Sequence, residues 1–168
     1  MKIYVSNINE SWIVDRIKEE WISNNKDITT NKIKDADIVW IISPWLWKKI
    51  SKKHLRNKIV VCSIYHFDNS DKELQDFIKR DKYVDFYHVI SENTKAQISS
   101  LTDKNIQSIP FWVNNDIFFN IDDKKNLREK YNIRNDAYLI GSFQRDTEGK
   151  DLTSPKLIKG PDRFVEIV

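Results

Sequence analysis

Residues 38–64 hold Ile38-Val39-Trp40-Ile41-Ile42, then Pro44 through Arg56, then Ile59-Val60-Val61-Cys62-Ser63-Ile64. Both outer stretches are almost continuously apolar, as expected of strands covered on both faces. The middle stretch carries Lys48, Lys49, Lys52, Lys53 and Arg56 and reads as a helix with a basic outer side. Strand, helix and strand at this spacing make a βαβ unit, which implies parallel pairing.

The same alternation extends in both directions. Ile3-Tyr4-Val5 is a first strand, and Ile13, Val14, Ile17 and Trp21 then share one helical face. Ser70 and Glu73 have capping-box spacing ahead of Leu74, Phe77 and Ile78. Phe86–Ile90 is a strand, Thr94–Leu101 a short helix, and Ile106–Ile109 a strand ended by Pro110. From Pro110 to Asp123 the pattern is apolar, irregular and rich in Asn, and reads as an interdomain crossover. Asp122 or Asp123 caps a helix carrying Leu127 and Tyr131. The expected class is α/β: a Rossmann-like, mostly parallel sheet flanked by helices over residues 1–120, with an incomplete second α/β unit over 121–168. Such sheets bind ligands at the carboxyl ends of their strands. Those ends are Ser6–Glu10, Ser43–Trp47, Tyr65–Asp68 and Ser91–Thr94.

A hydrophobic content of 40% and six Trp in 168 residues exclude a disordered chain. Lys and Arg nearly balance Asp and Glu, leaving +3, which argues against a nucleic-acid partner. The single cysteine, Cys62, lies in an apolar run and fits a reducing compartment. The N-terminus lacks the apolar stretch of a signal peptide, and no run is long enough to span a bilayer. The expected location is cytoplasmic, at most at the inner face of the membrane.

All three glycines fall in the last 28 residues. Tyr138-Leu139-Ile140 reads as a strand leading into Gly141, and Lys159-Gly160-Pro161 opens an apparent helix. Strand, basic glycine loop and helix start together suit close backbone approach to an anionic ligand.

Three stretches resemble the GT-B glycosyltransferases, the retaining, Rossmann-like branch that uses nucleotide-sugar donors. Ile109-Pro110-Phe111-Trp112-Val113-Asn114-Asn115-Asp116-Ile117-Phe118 is similar to the family's linker, with Trp112 in place of a glycine and Asn114 in place of an aspartate. Leu139-Ile140-Gly141, followed by Lys159-Gly160-Pro161-Asp162, is similar to its phosphate loop, with a longer insert. Asp37–Trp40, Ile59–His66 and Val89–Ser91 are similar to its N-lobe strands.

The resemblance implies two lobes facing each other across a cleft, with the acceptor on the N-lobe and the donor on the C-lobe. It implies that Gly141, Arg145, Lys159 and Gly160 bind the donor diphosphate. Lys159 matches the family lysine, whereas Ser142 stands where the family arginine does and leaves Arg145 as the nearest substitute. His66 matches a histidine on the acceptor side. The implied partners are a nucleotide sugar, as substrate, and a glycan or lipid-linked acceptor in surface-polysaccharide synthesis. The resemblance adds peripheral membrane contact, while an unfinished C-lobe favours a homo-oligomer. No cofactor and no metal are expected. The family's acidic donor-gripping pair would lie downstream of Val168, so residues 1–168 are expected to transfer no sugar alone.

Simpler readings stand beside these. His66 serves equally as a loop histidine bonded to Asp68 or a carbonyl. His88, between apolar strand residues, reads as a satisfied core histidine, and His54 as a surface one. Asp35-Ala36-Asp37 spells a metal-binding D-x-D but precedes its strand, so a polar turn explains it better. The basic segment near Trp45 and Trp47 suits a membrane surface or nucleic acid, with a solvated face as the plainer reading. Ser6–Trp12 either shapes an acceptor site or holds an ordinary cap at Asn9 or Ser11. Ser91–Thr94 reads as a helix cap. The rival to the family reading is a non-catalytic flavodoxin-like binding or regulatory module, although the first strand lacks a receiver's acidic cluster and a flavin phosphate loop.

Overall fold

A computed structural model describes residues 1–7, 13–141, 153–157 and 160–167. The chain divides into two compact units, Met1–Val113 and Asn114–Val168.

The first unit is a five-stranded, all-parallel sheet flanked by helices, a Rossmann-like α/β fold. Its strands are β1 Ile3–Val5, β2 Ile38–Ile41, β3 Ile59–Ile64, β4 Phe86–Val89 and β5 Asn105–Ser108, hydrogen-bonded in that order. The helices are α1 Ile13–Asn24, α2 Lys52–Arg56, α3 Asp71–Asp81 and α4 Glu92–Ser99. A bridge from Ile3 to Thr29 adds a rudimentary strand on the outer edge of β1. Ile3 also pairs with Ile38, so Thr29 and β2 must occupy opposite edges of β1. The chain therefore leaves β1 in one direction, returns past it, and proceeds in the other. That reversal makes a topological switch point between β1 and β2.

The helices lie on both faces. Phe77 of α3 stacks on Tyr87 of β4 at 5.2 Å, on the face that also buries Val39, Ile41, Val60, Cys62, Ile64 and Val89. Trp21 of α1 meets Trp40 edge-on at 5.4 Å, on the opposite face. This second face is less covered: Ile59 and Phe86 stay 47% and 43% exposed. The expectation that every residue of β2 and β3 is buried is corrected accordingly. Among the described residues α1 and the segment after β5 pack on that face, around Trp40 and His88, and they leave part of its apolar surface uncovered.

Pro44–Arg56 is also not one helix. Residues Pro44–Lys49 form a 3₁₀ helix, Ile50 and Ser51 are extended, and α2 follows. Leu46, Trp47 and Leu55 are all buried. In one straight α-helix Leu46 and Leu55, nine residues apart, would point about 180° away from each other. Breaking the helix lets both reach the same core.

Helix caps follow the sequence closely. The Ser70 hydroxyl accepts from Glu73 N at 3.2 Å, and the Ser91 hydroxyl from Thr94 N at 3.2 Å. Helix α4 accordingly begins at Glu92, two residues before the expected start.

The second unit contains α5 Lys124–Lys130 and α6 Pro161–Ile167. Asp123 caps α5 by accepting from Asn126 N at 3.0 Å. The strand expected at Tyr138–Ile140 is not present: these residues pair with no strand among the described residues and are 90%, 57% and 58% exposed. Apolar side chains alone do not make a strand without a neighbouring edge to pair with.

Candidate functional site

The carboxyl edge of the sheet begins at the switch point. Ser6 follows β1 and is buried; its N–H donates to the Trp40 carbonyl at 2.8 Å and its hydroxyl accepts from Ile42 N at 3.0 Å. Ser6 thereby fastens the end of β1 to the end of β2. Ser43 is fully buried and its hydroxyl makes no well-formed hydrogen bond. It lies against the Tyr65 phenol, which donates to the Ile42 carbonyl. Burial pushes the Tyr65 phenol above its ordinary range, while the nearby Ser43 and Ser63 hydroxyls act in the opposite sense. Tyr65 therefore stays protonated at neutral pH and works as a donor.

A polar chain crosses the less covered face. Trp40 Nε1 donates to Ser63 Oγ at 2.8 Å, Ser63 Oγ meets His88 Nδ1 at 2.9 Å, and His88 Nε2 meets the Ile109 carbonyl at 2.8 Å. Strand register makes this possible: Ser63 pairs directly with His88, and Trp40 lies diagonal to Ser63. The Ile109 carbonyl only accepts, so His88 donates from Nε2. A neutral imidazole then accepts at Nδ1, and the Ser63 hydroxyl donates to it. Ser63 is fully buried and does not line the cavity above it, so its hydroxyl is out of a substrate's reach and the chain serves as a structural relay.

Over the relay lies a cavity of about 400 Å³ lined by Trp21, Trp40, Phe86, His88, Phe111 and Trp112, among others. Trp112 Nε1 donates to Glu20 Oε2 at 2.6 Å, tying the segment after β5 to α1. Phe111 packs against Tyr65 at 5.1 Å and His88 at 6.2 Å.

His66 is exposed just after β3, at the carboxyl edge. No hydrogen bond joins it to Asp68 among the described residues. Asp68 instead accepts from Ser70 N at 2.8 Å, and the Ser70 hydroxyl and amide, with His66 adding, hold its carboxyl below the usual range. Gly141 is exposed and lies in no helix or strand. Gly160 has φ +66°, its N–H donates to the Leu157 carbonyl at 2.9 Å, and its carbonyl accepts from Phe164 N at 3.0 Å to start α6. Arg145 and Lys159 lie outside the described residues, as do Asn9 and Ser11.

Three other groups have structural roles. Burial pushes the Cys62 thiol up to about 12, so it is chemically inert. The buried guanidinium of Arg80 meets Asp76 at 3.5 Å and Glu73 at 3.9 Å. Asp37 accepts from Lys2 N at 2.7 Å in the turn that enters β2. No helix among the described residues is long and apolar enough to cross a membrane.

Ser6, Ser43, Tyr65 and Ser91 do follow β1, β2, β3 and β4 as the sequence pattern predicts, whereas that pattern does not anticipate the relay and the aromatic cavity. Their signal was the alternation Phe86-Tyr87-His88-Val89 beside Asn105-Ile106-Gln107-Ser108, which marks one sheet face as partly open. Comparison with protein-family models, curated proteins and solved structures finds no match to this chain.

Proposed function

We propose that residues 1–113 form the acceptor-side lobe of a retaining GT-B-type glycosyltransferase, and that the second unit belongs to its nucleotide-sugar lobe. The observation that carries this reading is the connectivity. A parallel sheet with a switch point runs through the Ile109–Phe118 stretch into a separate unit ending in a glycine-initiated helix.

In this reading the donor diphosphate lies against the backbone of Gly141 and Gly160, with Lys159 and Arg145 supplying positive charge. The diphosphate gains negative charge as the bond to the sugar breaks, so fixed cations there favour the transition state. In the same reading His66, exposed at the end of β3, handles the acceptor hydroxyl's proton. The acceptor is a glycan or lipid-linked sugar.

Amide NMR spectra of residues 1–168, titrated with UDP, GDP and TDP and their sugars, test the reading. The expected result is movement of the Gly141 and Gly160 amides that Lys159→Ala abolishes. Silence of both amides with every nucleotide overturns it.

One observation favours a second reading, a non-catalytic doubly wound binding module. Counting Thr29 as an edge strand, the sheet begins in the flavodoxin-like order 2-1-3-4-5. Its ligand would bind at the switch point, so nucleotide shifts confined to Ser6, Asn7 and Ser43 support this alternative.

A further inference from the structure

The cavity over the relay has a floor set by strand register. Trp40 of β2, Val61 of β3 and Phe86 of β4 are direct cross-strand neighbours, and His88 of β4 pairs with Gln107 of β5. The alternation of side chains along each strand puts both rows on one face of the sheet. The walls are Trp21 of α1 and the segment from Ile109 to Trp112. Three hydrogen bonds fix that segment. Ile109 N donates to the Val89 carbonyl at 2.9 Å, His88 Nε2 to the Ile109 carbonyl at 2.8 Å, and Trp112 Nε1 to Glu20 Oε2 at 2.6 Å. The wall is therefore anchored without any occupant. Phe86 and Trp112 are exposed, so the space of about 400 Å³ opens to solvent. A preformed, ring-lined cavity of this size is in the range of small-molecule sites.

We propose that this cavity binds an uncharged, flat aromatic molecule of about two fused rings. The lining decides the chemistry. No Asp, Glu, Lys or Arg lines it, and both His88 nitrogens are already engaged. An anion or an ammonium ion entering there would lose hydration without gaining a counter-charge. A sugar carries a hydroxyl on most of its carbons, and this lining has few groups to pair them. Gln107 Nε2 donates to Asn105 Oδ1 at 2.7 Å, which leaves the other N–H and the carbonyl oxygen of that amide for one polar ring atom. An aromatic ligand instead meets Trp21, Trp40, Phe86, Phe111 and Trp112, whose faces and edges pack well against another ring. The site lies within the first unit, on the sheet face and not at its carboxyl edge, so it stands apart from the nucleotide-sugar reading.

NMR spectra of residues 1–168, titrated separately with indole, quinoline, glucose, choline and UDP, test the proposal. Indole and quinoline should give saturable shifts of the Trp21, Trp40 and Trp112 indole N–H signals and of the Phe86 and Gln107 amides. Glucose and choline should leave these signals in place, and UDP should not displace quinoline. Phe86→Glu puts a charge in the lining and Gln107→Trp fills the space, and each should weaken quinoline binding at least about 10-fold. Ile59→Glu, at an exposed position outside the lining, should bind like the parent, and circular dichroism should show the variants folded. The proposal is overturned by the absence of saturable shifts, by tighter binding of glucose or choline, or by unchanged affinity in a folded lining variant. Displacement of quinoline by UDP overturns it in favour of a nucleotide site. Broadening of the same signals with protein concentration alone overturns it in favour of a second copy of the chain.

Discussion

Replacing Ser63 with alanine removes the middle of the Trp40–Ser63–His88 relay. The Ser63 hydroxyl is fully buried and serves two partners, accepting from Trp40 Nε1 at 2.8 Å and donating to His88 Nδ1 at 2.9 Å. Leaving a buried polar group without its partner costs about 1–3 kcal/mol. Trp40 and His88 are only partly buried and both line the 400 Å³ cavity, so water reaches them and recovers part of the loss. The expected destabilisation is about 2 kcal/mol, which in a chain of this size lowers Tm by about 4–8 °C. Urea unfolding followed by tryptophan fluorescence and far-ultraviolet circular dichroism measures it. A cycle with His88→Phe separates the pair from its surroundings, and Ser63 and His88 should couple by about 1 kcal/mol. A Ser63→Ala loss below about 0.5 kcal/mol, or a coupling indistinguishable from zero, refutes the relay as a stabilising element.

Other perturbations follow from the same contacts. Burial alone would raise the Asp76 carboxyl, but hydrogen bonds from Lys48 and Trp47 and the nearby Arg80 outweigh it and hold the group below its usual range. Its stabilisation is therefore complete above the unfolded value of about 3.9 and is lost as pH falls through the lower folded value. Chemical denaturation between pH 6 and pH 2 (about the carboxylate range) should show a shallower acid loss in Asp76→Asn than in the parent. Cys62, fully buried with its thiol at about 12, should not react with a soluble disulfide reagent in the folded state and should react fully in urea. At Gly160 an added Cβ would come no closer than 3.9 Å to the Arg163 side chain, so Gly160→Ala meets a penalty from φ +66° alone. That penalty is about 1 kcal/mol, and Gly160→Asn should cost less, read as helical signal and amide exchange at α6.

Much of the fold was legible in local chemistry. Continuous apolar runs at Ile38–Ile42 and Ile59–Ile64, separated by a helical length, specify parallel strands of a largely covered sheet, although Ile59 stays exposed on the more open face. Ser70, Ser91 and Asp123 announce helix starts because a short polar side chain satisfies the amides that a first turn leaves open. Those signals depend on near neighbours and survive without knowledge of the rest of the chain.

Tertiary structure alone decided what depends on distant partners. The edge pairing of Thr29 with Ile3, and hence the switch point, rests on a single bridge that the short run Ile28-Thr29-Thr30 does not by itself announce. The break at Ile50 and Ser51 follows from Leu46 and Leu55 competing for one core, which a helical pattern read in isolation does not reveal. Tyr138–Ile140 shows the converse: among the described residues these three, suited to a strand, pair with no second edge. The relay from Trp40 to Ile109 joins residues up to 69 positions apart by sequence number, brought together only by sheet register.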